Sequence, residues 1–393
     1  MWICRADIAK RGFRPATARL WAGETPSETE AAEIASQCNR LQNEMLVWSR
    51  GEISPTFDGT LGSLVKQYET DPDSLYQKLR YRVKIQTSKN LARLRADCGA
   101  RALRALTGRD LMRWYDGYAD AGPENPRKLH MAHEMLSLVR RVIHFGVTIA
   151  EPDTPLAADC ARLSIIMEKL RFENGAPRTD RLTADMATAI RAKAHELGHH
   201  SVALAQALQF ELTLRQRDVI GEWVPMSETG ISDVTWRGQK WLRGVRWEEI
   251  SPDMILTHNT SKTGANAVFD LSLYPMVLEE IARTPAELRE GPMVVREPGV
   301  RRRESAGKPW DAAGFRRVWR EIADAAGLPR SIKNMDSRAG GVTESTDAGA
   351  AIEDVRHHAT HKNASTTQRY SRGTLEKTSK VAKLRVEYRG KPK

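Results

Sequence analysis

The sequence predicts a mainly α protein with a small antiparallel β-sheet, in which a helical bundle is followed by a mixed α+β domain. Three observations carry that reading. Apolar residues recur at spacings of three and four through residues 34–48 and again through 57–170, the period of helices with one buried face. Between 235 and 273 the pattern changes to tryptophans and alternating apolar residues, as in Val268-Phe269-Asp270-Leu271, which suits strands. The segment 171-RFENGAPRTDR-181 between these regions loses periodicity and gains Gly, Pro and charge, as linkers do. The expected divisions are an N-terminal arm and helix (1–55), a helical domain (56–171), and an α+β domain with a basic tail (172–393).

The elements follow in order. Residues 1–24 carry Arg5, Lys10, Arg11, Arg14 and Arg19 between apolar ends, consistent with a small hairpin or an arm. Thr25 and Glu28 have capping-box spacing with Pro26 at the first helical position, ahead of the stripe Ile34, Cys38, Leu41, Met45, Trp48. Gly51 to Pro55 reads as a linker. Leu61, Leu64, Val65 and Tyr68 begin the next helix, and a basic stretch feeds another that ends near Asp97. Thr107 and Asp110 cap a third. Pro126 opens a fourth, with Met131, Met135, Leu138, Val142 and Phe145 on one face, and Leu163, Ile166, Met167 and Leu170 mark a fifth. Past the linker, Thr183 caps a helix, another spans about 201–212, strands occupy about 235–273, and helices resume at 276–283 and 311–326. The last runs from Asp311 as cap to Gly327 as stop.

Composition limits the function classes. Forty per cent hydrophobic and 28% charged residues describe an ordinary soluble chain, and no apolar run reaches membrane-spanning length. The N-terminus has no secretory pattern. Cys4, Cys38, Cys98 and Cys160 are scattered without a CxxC, which favours a reducing cytoplasm over disulfides or a zinc ribbon.

The net charge of +11 is clustered. Residues 75–95 hold Lys78, Arg80, Arg82, Lys84, Lys89, Arg93 and Arg95 with no acidic residue, interleaved with Tyr76 and Tyr81; residues 371–393 hold eight basic and two acidic residues. Such clusters suit a phosphate backbone, so nucleic acid is the expected partner, with a solvated face or an acidic protein as the alternatives.

The chemistry points to the stretch 357-HHATHKNASTTQRYSR-372. His361 and Tyr370 lie nine positions apart, and Arg369 and Arg372 flank the tyrosine. A tyrosine hydroxyl, with a pKa of about 10, is a poor nucleophile at neutral pH; nearby cations favour the phenolate and would also hold a phosphate. Arg215, at an expected helix end, is followed three residues on by Asp218, a carboxylate able to hold a guanidinium. Lys262 sits in an expected hairpin turn, 260-TSKTGAN-266, and Arg338 at an expected helix start, 334-NMDSRAGG-341. Two arginines, a lysine, a histidine and a tyrosine could together bind, attack and protonate a phosphodiester.

In order and spacing these positions resemble the catalytic domain of the tyrosine recombinases, the phage-integrase family, over roughly residues 175–390. Arg215 with Asp218 resembles the first arginine box, usually Gly-Leu-Arg with an acidic residue three on. Lys262 resembles the lysine of the strand hairpin, Arg338 the second arginine, His361 the histidine after it, and Tyr370 the nucleophile. The preceding helical domain resembles the family's core-site DNA-binding domain, with Lys78, Arg80, Arg82, Lys84, Lys89, Arg93 and Arg95 as DNA-binding candidates. Two positions depart from the pattern. Thr213 stands where glycine is usual, and Met335-Asp336-Ser337-Arg338 stands where the family has His-x-x-Arg.

The resemblance implies a site-specific recombinase of phage or mobile-element integration and excision. Arg215 and Arg338 would clamp the phosphate, Tyr370 would attack it, Lys262 would protonate the leaving 5′-hydroxyl, and His361 would support the phosphate. It also implies a cytoplasmic protein acting on double-stranded DNA as a tetramer, monomeric when free, with room for accessory DNA-bending or directionality proteins. No cofactor and no metal are expected, and Gly307-Lys308-Pro309 is not a P-loop. The rival readings are a non-catalytic DNA-binding protein (a repressor or a decayed integrase), a type IB topoisomerase, and a zinc site on the pairs His195/His199 or His357/His361.

Overall fold

The computed structural model describes residues 1–10, 13, 15–21, 25–26, 28–49, 57–175, 180–298 and 303–368. Tyr370, its neighbours Arg369 and Arg372, the basic tail and the 51–55 linker lie outside the described residues. The chain forms two compact units, residues 1–176 and 177–393.

The first unit opens with β1 (Trp2–Ile3), α1 (Ala6–Lys10), β2 (Thr17–Ala18) and α2 (Glu28–Ser49). β1 and β2 pair antiparallel, Trp2 opposite Ala18. Trp2, Cys4, Ile8 and Phe13 are buried with Leu41 and Met45 of the expected α2 stripe, forming a small core of their own. α2 begins at Glu28, not at Pro26.

Five helices complete the unit: α3 (Leu61–Thr70), α4 (Tyr81–Cys98), α5 (Gly108–Ala119), α6 (Leu129–Ile149) and α7 (Pro155–Lys169). Their starts are chemically marked. The Thr60 hydroxyl accepts from Ser63 N, and Thr154 caps α7 ahead of Pro155. The Thr107–Asp110 box is complete: Asp110 N donates to Thr107 Oγ1 and Thr107 N to Asp110 Oδ2. α6 starts at Leu129 rather than at Pro126, and its Met135, Leu138, Val139 and Val142 are buried with Leu61, Leu64, Leu91, Leu94 and Leu163. Each such side chain contributes about 2 kcal/mol relative to exposure.

In the second unit α8 (Ala184–Glu196) is capped by Thr183, and α9 (His200–Phe210) follows. Every residue of α9 from Val202 to Phe210 is buried, the signature of a helix enclosed on all sides. Then come α10 (Gln216–Ile220), β3 (Glu222–Pro225), β4 (Thr235–Trp236), β5 (Gln239–Leu242), β6 (Ile255–Asn259), β7 (Asn266–Asp270), α11 (Pro275–Arg283), α12 (Ala312–Ala325), α13 (Asp336–Asp347), α14 (Ile352–His358) and α15 (Ala364–Gln368).

Among the described residues the strands form three small antiparallel sheets: β1-β2, β3-β5-β4 and the β6-β7 hairpin. Two expectations are corrected. Pairing starts at Glu222, not near Thr235, because Trp223 and Val224 are both buried and show no alternation. Trp247 belongs to a 3-10 turn, not to a strand. In the hairpin, Ile255 pairs with Asp270 and Asn259 with Asn266, so the turn between them holds Lys262.

Candidate active site

Arg215 stands at a helix end, as the capping residue that opens α10. Its backbone N donates to Asp218 Oδ2 at 3.3 Å, and its Nη1 lies 3.7 Å from the same oxygen. Asp218 is fully buried, and its Oδ1 accepts from the backbone N of Ser261 at 2.7 Å. One carboxylate therefore fixes the first arginine and the residue before Lys262. Removing a buried acceptor of this kind typically costs about 1–3 kcal/mol. Lys262 itself is exposed in the hairpin turn.

Arg338 is the third residue of α13. Two glycines seat that helix against the core. A Cβ on Gly340 would stand 1.8 Å from Leu182 O, and one on Gly341 2.1 Å from Phe210 O. Buried Ser337 donates to Gln206 Oε1 at 3.2 Å, an oxygen that also accepts from Trp319 Nε1. So placed, Arg338 donates from Nη1 to Thr213 O and from Nη2 to Ala359 O, which uses two of the five N–H donors of a guanidinium. Both carbonyls border left-handed turns: Thr213 has φ 49° and Thr360 φ 50°. Such a conformation costs a non-glycine residue about 1–2 kcal/mol. Arg215 Nη1 donates to Thr360 Oγ1 at 3.4 Å.

His361 is only 5% exposed, and its Nδ1 lies 3.0 Å from Thr367 Oγ1. Burial first, then the charges of Arg338, Arg215 and Lys262, push its pKa down to about 4, so the ring is neutral at physiological pH. Burial and Arg338 also lower the pKa of His358, which stacks on Tyr274 with 6.0 Å between centroids. Arg215, Lys262, Arg338 and His361, far apart in sequence, therefore share one electrostatic environment. Met335, at the place of the family's usual histidine, is 67% exposed.

No protein-family model matches the chain, and no curated protein does. Solved structures do match. A lambda integrase dimer bound to a COC′ core site aligns at 17% identity, covering 80% of this chain and 97% of that one, with a TM-score of 0.58. The Tn1549 transposon integrase in complex with transposon right end DNA aligns at 9% identity over 84% of this chain and 99% of that one, TM-score 0.56. A lambda integrase tetramer bound to a Holliday junction covers 89% of this chain and 88% of its own, at 14% identity and TM-score 0.52. This is the tyrosine-recombinase fold.

On the tyrosine-recombinase fold the structure brings together four of the five expected site residues; the fifth, Tyr370, lies two residues past the last described one, Gln368. Sequence reasoning missed the residues that hold these four: Ser261, Thr213, Thr360, His358 and Thr367. The only available signal was Thr213 in a glycine's place.

The basic candidates are dispersed. Five lie on α4, while Lys78 and Arg80 fall in the turns before it. Arg93 and Arg95 have ion-pair partners in Asp97 at 3.5 Å and Glu69 at 3.3 Å, and Lys84 is held by Gln77 and Tyr76. Lys78, Arg82 and Lys89 are exposed and have no carboxylate partner among the described residues.

Neither histidine pair considered for zinc converges. His195 bonds Glu280 and faces His200, whereas His199 faces Glu297. His361 is buried while His357 lies exposed beside Glu353. Among the described residues no group of three or more His, Cys, Asp or Glu side chains could hold a metal ion.

Proposed function

We propose that the chain is a site-specific DNA recombinase that cleaves and rejoins strands through a 3′-phosphotyrosine on Tyr370. The observation that carries this reading is the bonding that gathers the site: Asp218 joins Arg215 to the Lys262 turn, and Arg215 and Arg338 bond to Thr360 and Ala359 next to the buried His361. The guanidinium groups of Arg215 and Arg338 bind the non-bridging oxygens of the scissile phosphate and stabilise the charge that builds there. Tyr370 loses its proton to solvent, a loss that the site's cations favour, its oxygen forms a bond to phosphorus, and the bond from phosphorus to the 5′-oxygen breaks. Lys262 gives its proton to that oxygen, yielding a 5′-hydroxyl. His361, neutral and ringed by cations, hydrogen-bonds the phosphate without adding charge. Rejoining reverses these steps on a new 5′-hydroxyl, so no ATP is consumed.

The matching integrases support the coarser parts of the reading. Their structures hold core-site DNA, transposon end DNA and, as a tetramer, a Holliday junction; we assign to this chain double-stranded DNA as substrate, a tetramer on it, and a role in phage or mobile-element integration and excision. The division into arm (1–55), core-site binding domain (56–171) and catalytic domain (172–393) belongs to the same proposal.

The test uses nicked duplexes and synthetic four-way junctions carrying candidate attachment sequences. Wild-type protein should leave a covalent protein–DNA adduct on a denaturing gel, and Tyr370→Phe should leave none. Bound DNA with no adduct would favour the non-catalytic DNA-binding reading, for which exposed Met335 is the supporting observation. An adduct persisting in Tyr370→Phe would overturn the nucleophile.

A further inference from the structure

Six non-glycine residues have positive φ among the described ones: Asp153, Thr213, Arg237, Arg243, Met254 and Thr360. Only the two threonines are β-branched, and both lie in the site. A β-branched side chain in this region is a true outlier, and such strain persists only where the surroundings over-determine it.

The surroundings do so here. Thr213 is buried, its carbonyl accepts from Arg338 Nη1, and its Oγ1 lies 3.4 Å from His358 Nδ1 and 3.5 Å from the His358 carbonyl. Thr360 N donates to His357 O at 2.9 Å, and Thr360 Oγ1 accepts from Arg215 Nη1. The carbonyl that precedes Thr360, on Ala359, takes Arg338 Nη2. Each strained turn thus supports one end of the Arg338 fork, and one of the two also supplies a hydroxyl to Arg215. Glycine would adopt both turns without strain but would supply neither hydroxyl.

We propose that Thr213 and Thr360 are positioning residues: their left-handed turns and hydroxyls hold Arg338 and Arg215 in the geometry that receives a phosphate. The assignment rests on the recombinase reading of the same site. His358, which stands behind Thr213, belongs to the same device. The groups facing His361 report on it, because Arg338 of α13, Arg215 at the start of α10, Lys262 of the hairpin and Arg356 of α14 all bear on that ring or its backbone.

The experiment compares Thr213→Gly, Thr360→Gly and Thr360→Ser in the full chain. One arm follows the NMR titration of His361, assigned by its loss in His361→Gln; the other follows adduct formation and duplex binding. Both glycine variants should keep or raise the melting temperature and move the His361 titration upward as the arginines drift from the ring. Adduct formation should fall about tenfold in Thr360→Gly, the loss of one orienting hydrogen bond to a charged group, and less in Thr213→Gly, whose carbonyl still accepts from Arg338 while only the contact with His358 is lost, with duplex affinity unchanged in both. Thr360→Ser should restore the wild-type values. An unmoved His361 titration in both glycine variants would overturn the proposal, as would a fall in activity that merely follows a fall in melting temperature. If wild-type protein forms no adduct, the recombinase reading fails, and the titration arm still decides whether the threonines hold the arginines.

Discussion

Charge is used in opposite ways by the Asp218 cluster and by α4. In the cluster each cation is placed individually: Arg215 by a buried carboxylate, Lys262 by the turn residue bonded to that same carboxylate, and Arg338 by two backbone carbonyls. On α4 the cations stand largely exposed; Arg93 faces the exposed Asp97 and Arg95 a half-buried Glu69. Exposed pairs contribute little individually, whereas a buried acceptor that loses its donors is expensive. The difference teaches that position matters in one region and number in the other.

That contrast can be tested from the strongest effect down. Arg338→Ala or Arg215→Ala should lower the cleavage rate by about 10²–10³, measured as adduct formation at saturating DNA, with a far smaller change in duplex affinity. A comparable loss of affinity would mean that these arginines act as one more surface charge. Asp218→Ala should destabilise the protein by about 1–3 kcal/mol in chemical denaturation and slow cleavage as well, since Arg215 and the Lys262 turn lose their common anchor.

Acid provides a third test. His361 titrates near 4 in the folded protein against about 6.5 unfolded, so between these values the unfolded chain binds the extra proton. Stability is therefore highest above pH 6.5 and falls as the pH drops towards 4, by at most about 3 kcal/mol from this residue. In His361→Gln that part of the acid sensitivity should disappear; an unchanged pH profile of denaturation would remove His361 from the buried cluster.

The smallest effects belong to α4. The pair Arg82→Gln with Lys89→Gln should weaken binding to all duplexes alike and reduce the salt slope by about 2, leaving the cleavage rate at saturation intact. Arg93→Gln with Arg95→Gln should do less, because Asp97 and Glu69 already neutralise those charges. Equal effects from the two pairs would show that the surface ion pairs open on DNA.

Where local chemistry decides, the sequence was legible. Thr107 with Asp110, Thr154 with Pro155 and Asp311 announce helix starts because a cap is a bond between near neighbours. The candidate residues Arg215, Lys262, Arg338 and His361 are proposed from residue type and order. What holds them was not legible, because the bond from Ser261 N to Asp218 spans 43 residues and that from Arg338 to Thr213 spans 125. β3 escaped for a related reason: a strand buried on both faces has no alternation to show. Pro126 misled as a helix start because the chain turns through 123–128 before α6 begins at Leu129.

The fork of Arg338 has a consequence for safety. Its two carbonyl partners belong to residues 146 positions apart, Thr213 near the start of the unit and Ala359 near the end of its described part. A nascent chain that has not yet delivered residue 359, or one clipped before it, holds Arg338 by one side only. Under the recombinase reading such a product, which also lacks His361 and Tyr370, could occupy DNA but not cut it. The guanidinium behaves as an interlock, closing only when both ends of the fold have arrived.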